Sequence, residues 1–347
     1  MNFKIGKKKI SQDGKCFIVA EMSGNHNGNF KKAVKIMKMA KLAGADAIKL
    51  QTYKADTITL NSNKKDFKIK NQSPWKKKKT YWDLYQKAST PWDWHKKLFQ
   101  IAKKIKIEIF SSPFDETAVD FLENLNCKAY KLASPEINHI PLIQKIAQTR
   151  KPIIISTGLS NFNDLKLAVK TIKKFHNKIA ILKCTSSYPA KYEELNLKTM
   201  TEIKKNFNSI IGFSDHTKDE IAALTSVALG GKILEKHFNL KKTKSVDDFF
   251  SMDYENFKTM VIKIRQIEKI MGKISYSPSK SSKIHYAGRR SIYVSKNIKK
   301  GEKISKKNIK VVRPNYGLHP KFYYDMIGKK AKKSLSIGTR FKKSYAR

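Results

Sequence analysis

Eight short apolar runs alternate with amphipathic helical patterns between residues 16 and 271 of the chain. The runs are typical of buried parallel strands, and the segments between them repeat apolar residues at the spacing of one helix face. Strands are predicted at 16–22, 46–53, 107–113, 129–134, 152–158, 180–187, 210–217 and 232–240. Helices are predicted near 30–43, 91–105, 115–125, 139–149, 161–175, 197–207, 218–229 and 254–271. Eight strand–helix pairs in this length predict an α/β fold of the (β/α)₈ TIM-barrel type.

A doubly wound open sheet is the alternative architecture. Such sheets usually have fewer strands, and the first predicted strand is not followed by the GxGxxG motif of dinucleotide-binding sheets. One connection, 54–90, is too long for an ordinary strand–helix loop and interleaves aromatic with basic residues. That composition could stack single-stranded bases. A long loop at the catalytic face of a barrel instead favours a lid, which is our interpretation.

The pattern changes after residue 271. A Ser/Lys-rich stretch with little periodicity is typical of a linker. Short strand-like runs and a glycine turn then indicate a compact β-rich domain of about sixty residues. We therefore predict a catalytic barrel over 1–272, a linker over 273–288 and a small C-terminal domain over 289–347.

The charge of the chain raises a competing hypothesis of another class. Lys plus Arg number 73 against 28 Asp plus Glu, a formal net charge of +45, and such a balance can serve nucleic-acid binding. However, only seven of the basic residues are Arg, the residue preferred for bidentate phosphate and guanine contacts. The lysines are spread over the whole chain, so we favour a compositional bias and expect no nucleic-acid partner.

Hydropathy and cysteine content bear on where in the cell the protein is expected. There is no run of about eighteen apolar residues, so no membrane span is expected. The Lys-rich start leads into no apolar segment, so no signal peptide is predicted. The cysteines at 16, 127 and 184 are odd in number and far apart. They favour a reducing cytoplasm over a disulfide framework or a CxxC metal pair.

Polar residues stand near the carboxyl end of every predicted strand, where the catalytic residues of barrels lie. Burying so many polar groups costs free energy unless a ligand or a network satisfies them. Four lysines and three hydroxyls would converge on an anion, most plausibly a phosphate with a carboxylate. They are Lys49, Lys131, Lys183, Lys236, Ser112, Ser134 and Ser156.

Two further groups carry other chemistry. His216 and His237 end adjacent predicted strands, which suits a divalent metal with positions open to water and substrate. Glu21 and Glu136 are carboxylates among cations and could act as acid or base. Three other histidines, equally substrate contacts or plain surface residues, are weaker candidates: His26, His95 and His319.

The ordered motifs of the chain resemble those of the sialic acid synthase family, whose members condense phosphoenolpyruvate with an amino sugar. The motifs are AEMSGNHNG (20–28), GADAIKLQTY (44–53), FSSPFD (110–115), YKLASPEI (130–137), STG (156–158), SDHT (214–217) and EKHF (235–238). The segment 298–314 resembles the antifreeze-like SAF domain that follows those barrels. Within the family, the segments 21–28, 80–95, 183–190 and 313–320 are similar to the pseudaminic acid synthase branch. Sialic and legionaminic acid synthases are the alternatives, and they typically have Asn where this chain has Ser186.

The resemblance implies a role for each matching residue. It implies phosphoenolpyruvate binding by Lys49, Ser112, Lys131, Ser134, Ser156, Ser186 and Ser214. It implies Mn²⁺ or Mg²⁺ binding by His216 and His237, and catalysis by Glu21 and Glu136. The implied sugar contacts are Asn27, Gln51, Tyr188, Asp247 and Arg313. Arg313 would reach from the SAF domain into the barrel of a partner subunit, so a domain-swapped homodimer is expected. The expected sugar is 2,4-diacetamido-2,4,6-trideoxy-β-L-altropyranose.

Overall fold

The structure, a computed structural model, describes residues 2–71, 73–241 and 244–347. It divides into two compact units, Met1–Gly272 and Lys273–Arg347. The first unit begins with an antiparallel pair, β1 (Asn2–Ile5) and β2 (Lys8–Ser11), which the sequence analysis did not predict. Its apolar residues Phe3, Ile5 and Ile10 are buried while the neighbouring lysines are exposed.

Among the described residues, eight parallel strands close into a barrel in chain order, with the last strand pairing with the first. They are β3 (Phe17–Glu21), β4 (Ala47–Thr52), β5 (Glu108–Pro113), β6 (Tyr130–Leu132), β7 (Ile153–Ser156), β8 (Ile179–Cys184), β9 (Ile210–Asp215) and β10 (Ile233–His237). The TIM-barrel prediction is confirmed, and the open sheet is wrong. Seven of the predicted strands contain an observed one, and the predicted strand 180–187 overlaps β8, which begins one residue earlier.

Helices pack outside the barrel between successive strands. They are α1 (Phe30–Leu42), α2 (Ala55–Ile58), α3 (Tyr81–Ala88), α4 (Trp92–Ile105), α5 (Glu116–Asn124), α6 (Ile140–Gln148), α7 (Phe162–Lys173), α8 (Thr199–Phe207), α9 (Ile221–Ala228) and α10 (Tyr254–Met271). Several begin at a residue whose side chain accepts a hydrogen bond from a backbone N–H three residues later, as Asp115 does for α5 and Asp253 for α10. Such caps satisfy N–H groups that the first helical turn leaves unpaired. In the part of the chain that the structure describes, no helix is both long and apolar enough to cross a membrane.

The second unit has its own small core. Strands β11 (Ser291–Val294) and β12 (Ile309–Val312) pair antiparallel, and a short helix, α11 (Tyr323–Met326), follows. The buried residues Ile292, Ile304 and Phe341 belong to one apolar cluster. The preceding segment, Ser281–Gly288, forms 3₁₀ turns and is mostly exposed.

Candidate active site

Four charged side chains meet inside the carboxyl end of the barrel. The register places Glu21 of β3 level with Lys49 of β4 and with His237 of β10. Lys49 Nζ lies 2.9 Å from Glu21 Oε2 and 3.1 Å from Glu235 Oε1. Lys131 Nζ lies 4.0 Å from the same Glu235 oxygen. All four are almost fully buried, so two cations and two carboxylates balance one another where water is excluded.

Hydroxyl groups surround the two lysines. Lys49 Nζ donates to Ser112 Oγ at 3.2 Å and Lys131 Nζ donates to Ser156 Oγ at 2.6 Å. Ser214 Oγ donates to Glu235 Oε1 at 3.3 Å. Cations and hydroxyls in one concave end of a barrel make a set of donors for an anion with several oxygens.

A second pair of hydroxyls stands beside this set. Ser134 Oγ and Ser186 Oγ are 2.7 Å apart. Gly158 allows this approach, because a Cβ there would lie 2.1 Å from Ser186 Oγ and 3.0 Å from Ser134 Oγ. All seven residues predicted to bind phosphoenolpyruvate thus lie on six neighbouring strands, β4 to β9, or on the loops that follow them.

The electrostatics of the cluster follow from burial and pairing. Burial would lower the pKa of Lys49, but Glu21 and Glu235 outweigh it and hold that pKa above its ordinary value. Burial lowers the pKa of Lys131, and Glu235 offsets this only in part. Burial raises the pKa of Glu21 against the opposing effect of Lys49. Burial also acts to raise the pKa of Glu235, but the two lysines hold it below its ordinary value. Of the two carboxyls, Glu21 is therefore the easier to protonate.

Glu136 is the second candidate acid or base. It ends the 3₁₀ turn Ser134–Glu136 that follows β6. Its Oε2 is buried and has no hydrogen-bond partner within the described part of the chain. Burial raises the pKa of Glu136 to about 7, against the attraction of Lys131 and Lys49. A carboxyl with that pKa can take up or release a proton near neutral pH.

His216 and His237 lie side by side, with ring centroids 5.5 Å apart. His216 Nδ1 faces the carbonyl oxygen of Thr185 at 2.8 Å, so this nitrogen donates and Nε2 keeps its lone pair in the neutral ring. His237 Nδ1 is buried without a hydrogen-bond partner among the described residues. Burial holds the pKa of His237 well below its ordinary value, and protonation of His216 would lower it further.

These two rings fit a divalent metal. Neutral imidazole is the ligand form that metals bind, and a hydrogen bond from the other ring nitrogen fixes the orientation of His216. The described residues contain no cluster of three or more His, Cys, Asp or Glu side chains able to hold a metal. Two protein ligands would leave the remaining positions to substrate and water, as in catalytic sites.

Three predicted sugar contacts surround the same opening. Gln51 Nε2 donates to Glu21 Oε1 at 3.2 Å, and Asp247 accepts from Ser23 Oγ at 2.5 Å. The Tyr188 ring packs on His216 at a centroid distance of 4.4 Å. Trp75, in the long connection, packs on Tyr188 at 5.3 Å and donates from Nε1 to Val246 O at 3.0 Å. The connection therefore reaches the site, as a lid would.

Two other predicted contacts lie elsewhere. Asn27 is exposed and ends the turn Ser23–His26 with a left-handed backbone, φ 49°. Arg313 is an exposed residue of the second unit, directly after β12. The roles of both residues in binding sugar stay predictions.

Two lysines predicted at the anion site are not part of it. Lys236 Nζ pairs with Asp215 Oδ2 at 2.7 Å, and Lys183 Nζ donates to Cys184 O at 2.7 Å. The prediction for both is wrong because side chains alternate along a strand. Lys236 therefore faces away from its neighbours Glu235 and His237.

The structure also shows where the three weaker histidine candidates lie. His26 and His95 are fully buried, so they are not surface residues. Ring nitrogens bond His95 to Thr52 at 2.9 Å and His26 to Thr90 at 3.3 Å. They thus tie the segment from α3 to α4 to the barrel. His319 is exposed and caps the turn Pro320–Phe322.

Glu235 and Ser23 are site residues that the sequence analysis did not assign to the site. Glu235 contacts both anion-site lysines. Its position two residues before His237 in one strand places both side chains on the same face, a signal that was available. Ser23 carried no such signal, because its partner Asp247 is 224 residues away.

Comparison with known proteins agrees with this geometry. The NeuB family matches residues 36–276, and the SAF domain matches residues 289–344. The chain belongs to the NeuB family. It is 44% identical to a pseudaminic acid synthase of Campylobacter jejuni over 96% of this chain and 98% of that protein.

Two further comparisons bear on the branch and the fold. The chain is 35% identical to the N,N'-diacetyllegionaminic acid synthase of Legionella pneumophila over 93% of this chain and 92% of that one. The crystal structure of a sialic acid synthetase from Leptospira borgpetersenii, in complex with citrate, superposes with a TM-score of 0.73 at 27% identity. It covers 82% of this chain and 95% of that chain.

Proposed function

We propose that this chain is a pseudaminic acid synthase. It joins phosphoenolpyruvate, water and 2,4-diacetamido-2,4,6-trideoxy-β-L-altropyranose to give pseudaminic acid and inorganic phosphate. One observation carries the proposal: two buried lysines set among serines adjoin two histidines, in a chain 44% identical to a pseudaminic acid synthase over nearly its full length.

The anion site holds phosphoenolpyruvate. Lys49 and Lys131 face its phosphate and carboxylate, and the serine hydroxyls complete the donor set. Because Glu21 and Glu235 already pair with these lysines, the incoming anion competes with two carboxylates. Protonation of Glu21, whose pKa burial raises, would remove one competitor and leave net positive charge for the ligand.

The condensation forms one carbon–carbon bond and, from water, one carbon–oxygen bond, and it breaks the carbon–oxygen bond that joins C2 to the phosphate. C3 of phosphoenolpyruvate attacks the aldehyde carbon of the open-chain sugar, and the aldehyde oxygen takes a proton to become a hydroxyl. C2 becomes an oxocarbenium ion, which water attacks. Loss of phosphate from the resulting tetrahedral carbon leaves the C2 ketone.

The chain supplies proton transfer and charge stabilisation for these steps. Ionised Glu136 accepts the proton of the attacking water, a role that its pKa of about 7 suits. The two lysines stabilise the negative charge of the departing phosphate. When bound, Mn²⁺ or Mg²⁺ held by His216 and His237 supplies Lewis-acid polarisation of the aldehyde oxygen. Gln51, Tyr188 and Asp247 face the sugar, and Trp75 helps to exclude water.

The small unit completes the proposal. Arg313 presents its planar donors to an acetamido oxygen of the sugar in a partner subunit, within a domain-swapped homodimer. A lysine could not copy that fork. The cysteines at 16, 127 and 184 are buried free thiols in the described structure, which suits a reducing cytoplasm.

The test is a substrate panel. Purified protein with phosphoenolpyruvate and Mn²⁺ is offered the diacetamido-trideoxy-altrose, N-acetylmannosamine and the legionaminic acid precursor, 2,4-diacetamido-2,4,6-trideoxymannose. Phosphate release and product mass are measured. We expect turnover with the altrose at least about a hundredfold above the others in kcat/KM. Preference for either other hexose would move the chain to another branch of the family.

A further inference from the structure

Ser23 has a backbone conformation that rarely suits a serine. It follows β3 directly after Met22 and has φ +45°, in the left-handed region where a Cβ collides with the neighbouring carbonyl. Glycine would adopt this conformation without that cost. Ser23 is also almost fully buried, so solvent does not stabilise its hydroxyl. Interactions of the serine side chain must therefore offset the strain of this backbone conformation.

The contacts of Ser23 supply such interactions. Its hydroxyl donates to Asp247 Oδ2 at 2.5 Å and accepts from Gln51 Nε2 at 3.0 Å. Its backbone N–H donates to Glu21 Oε1 at 3.0 Å. Gln51 Nε2 also donates to that Glu21 oxygen, at 3.2 Å. Ser23 therefore connects the carboxylate that faces Lys49 with the carboxylate of the loop after β10.

The left-handed backbone of Ser23 lets its N–H bond to Glu21 while its hydroxyl bonds to Asp247. A residue two positions after Glu21 turns its N–H back to that side chain while its own hydroxyl points across the barrel opening. Asp247 is nearly fully buried as well, and the Gly24 N–H also faces its carboxylate. Without the Ser23 hydroxyl, this carboxylate would lose a donor in a place that water reaches poorly.

We propose that Ser23 is a positioning residue, which fixes the Asp247 carboxylate relative to Glu21 so that it accepts a hydrogen bond from the open-chain sugar. The inference rests on the proposed function, because it takes Asp247 as a sugar contact. On this proposal Ser23 acts through Asp247 and contacts neither phosphoenolpyruvate nor the reacting carbons. Its loss should weaken the use of sugar and spare the use of phosphoenolpyruvate.

The experiment compares four variants of the full chain. Ser23→Ala removes the hydroxyl and keeps the strained backbone. Ser23→Gly removes both, so its folding should not suffer. Asp247→Asn and the double variant Ser23→Ala/Asp247→Asn test whether the serine acts through the aspartate. KM and kcat are measured for each substrate by phosphate release, and thermal melting checks the fold.

We expect both single Ser23 variants to raise the KM for sugar by about tenfold to a hundredfold, the range for a lost hydrogen bond to a charged group. The KM for phosphoenolpyruvate should stay within about twofold. The double variant should be no worse than Asp247→Asn alone, since coupled residues are non-additive. An unchanged sugar KM in Ser23→Gly, an equal rise in both KM values, or additive losses would each overturn the assignment.

A matched control addresses the integrity of the loop. Ser251 Oγ donates to the backbone oxygen of Asp247 at 2.6 Å, so Ser251→Ala removes a hydroxyl that holds the same loop without touching the carboxylate. We expect a clearly smaller effect on the sugar KM, and an equal effect would overturn the proposal. If the wild-type protein turns over no hexose of the panel, the proposed function fails and Ser23 loses its role with it. If the wild type is active and the variants match it, the inference alone fails.

Discussion

Replacing Glu136 with Gln should stabilise the protein while removing activity. Burial raises the pKa of Glu136 from 4.5 to about 7. Since the folded-state pKa lies above the unfolded one, the carboxyl favours folding at low pH and opposes it as pH rises. The full cost above pH 7 is about 3.5 kcal/mol, at about 1.4 kcal/mol per pH unit. Because the side chain is partly exposed, we expect about 2 kcal/mol.

Urea denaturation of the wild type and Glu136→Gln at pH 5 and pH 8.5 measures this cost. The difference in unfolding free energy between the two proteins should grow by about 2 kcal/mol toward pH 8.5, and other titrating groups cancel in the comparison. Glu193→Gln, at an exposed carboxylate, is the matched control and should show no such growth. A Glu136→Gln difference that is the same at both pH values would refute the reasoning.

The activity of the same proteins follows from the proton-acceptor role. For the wild type, kcat/KM should rise with pH through about 7, because only ionised Glu136 accepts a proton. Glu136→Gln should lack that rise and lose about a hundredfold or more in kcat. A variant with wild-type kcat would remove Glu136 from the chemistry and leave its effect on stability standing.

The remaining predictions concern the anion site, the histidines and the small unit. Lys131→Met should raise the KM for phosphoenolpyruvate by about a hundredfold and Ser156→Ala by about tenfold, because a charge is lost in one case and a neutral donor in the other; equal effects in steady-state kinetics would contradict this. His237→Ala should abolish Mn²⁺ binding in calorimetry while His319→Ala leaves it intact, and full turnover in excess chelator would rule out the metal. Arg313→Lys should raise the sugar KM, and mixing Arg313→Ala with an inactive barrel variant should restore some activity; mixtures that stay inactive would contradict the domain swap.

The barrel was predictable because its signal is local and repeated. Each strand is an apolar run ending in polar residues, and the helices between them begin at capping side chains such as Asp115 and Asp253. The pair β1–β2 escaped prediction because each strand has only four residues. In β1, for example, the alternation amounts to two buried residues, Phe3 and Ile5.

The sequence predicted many of the residues that belong to the site, but fewer of the contacts between them. The end of a predicted strand shows which residues lie near the catalytic face. Side chains alternate between the inside and the outside of the barrel, so the inward set can be assigned only when one inward residue of the strand is known. This is why Lys236, which was expected in the anion site, faces Asp215 instead, while Glu235, to which no role was assigned, faces the two lysines of the site. The hydrogen bond from Ser23 to Asp247 depends on closure of the barrel, which pairs β10 with β3. No local sequence pattern predicts that hydrogen bond.

The lysines of this chain differ in their surroundings, which are water for most of them and carboxylates for the two of the anion site. Most are exposed to solvent, on helices and on loops alike, where water solvates them and a high net charge serves solubility more than recognition. Lys49 and Lys131 are buried. Lys49 pairs with Glu21 of the adjacent strand, and Lys131 faces Glu235 across the barrel. A buried cation that is fully paired has little attraction left for a ligand, whereas one whose partner can take up a proton regains it. The raised pKa of Glu21, which burial causes, provides that freedom, so the anion site depends on the titration of its carboxylates as much as on its lysines.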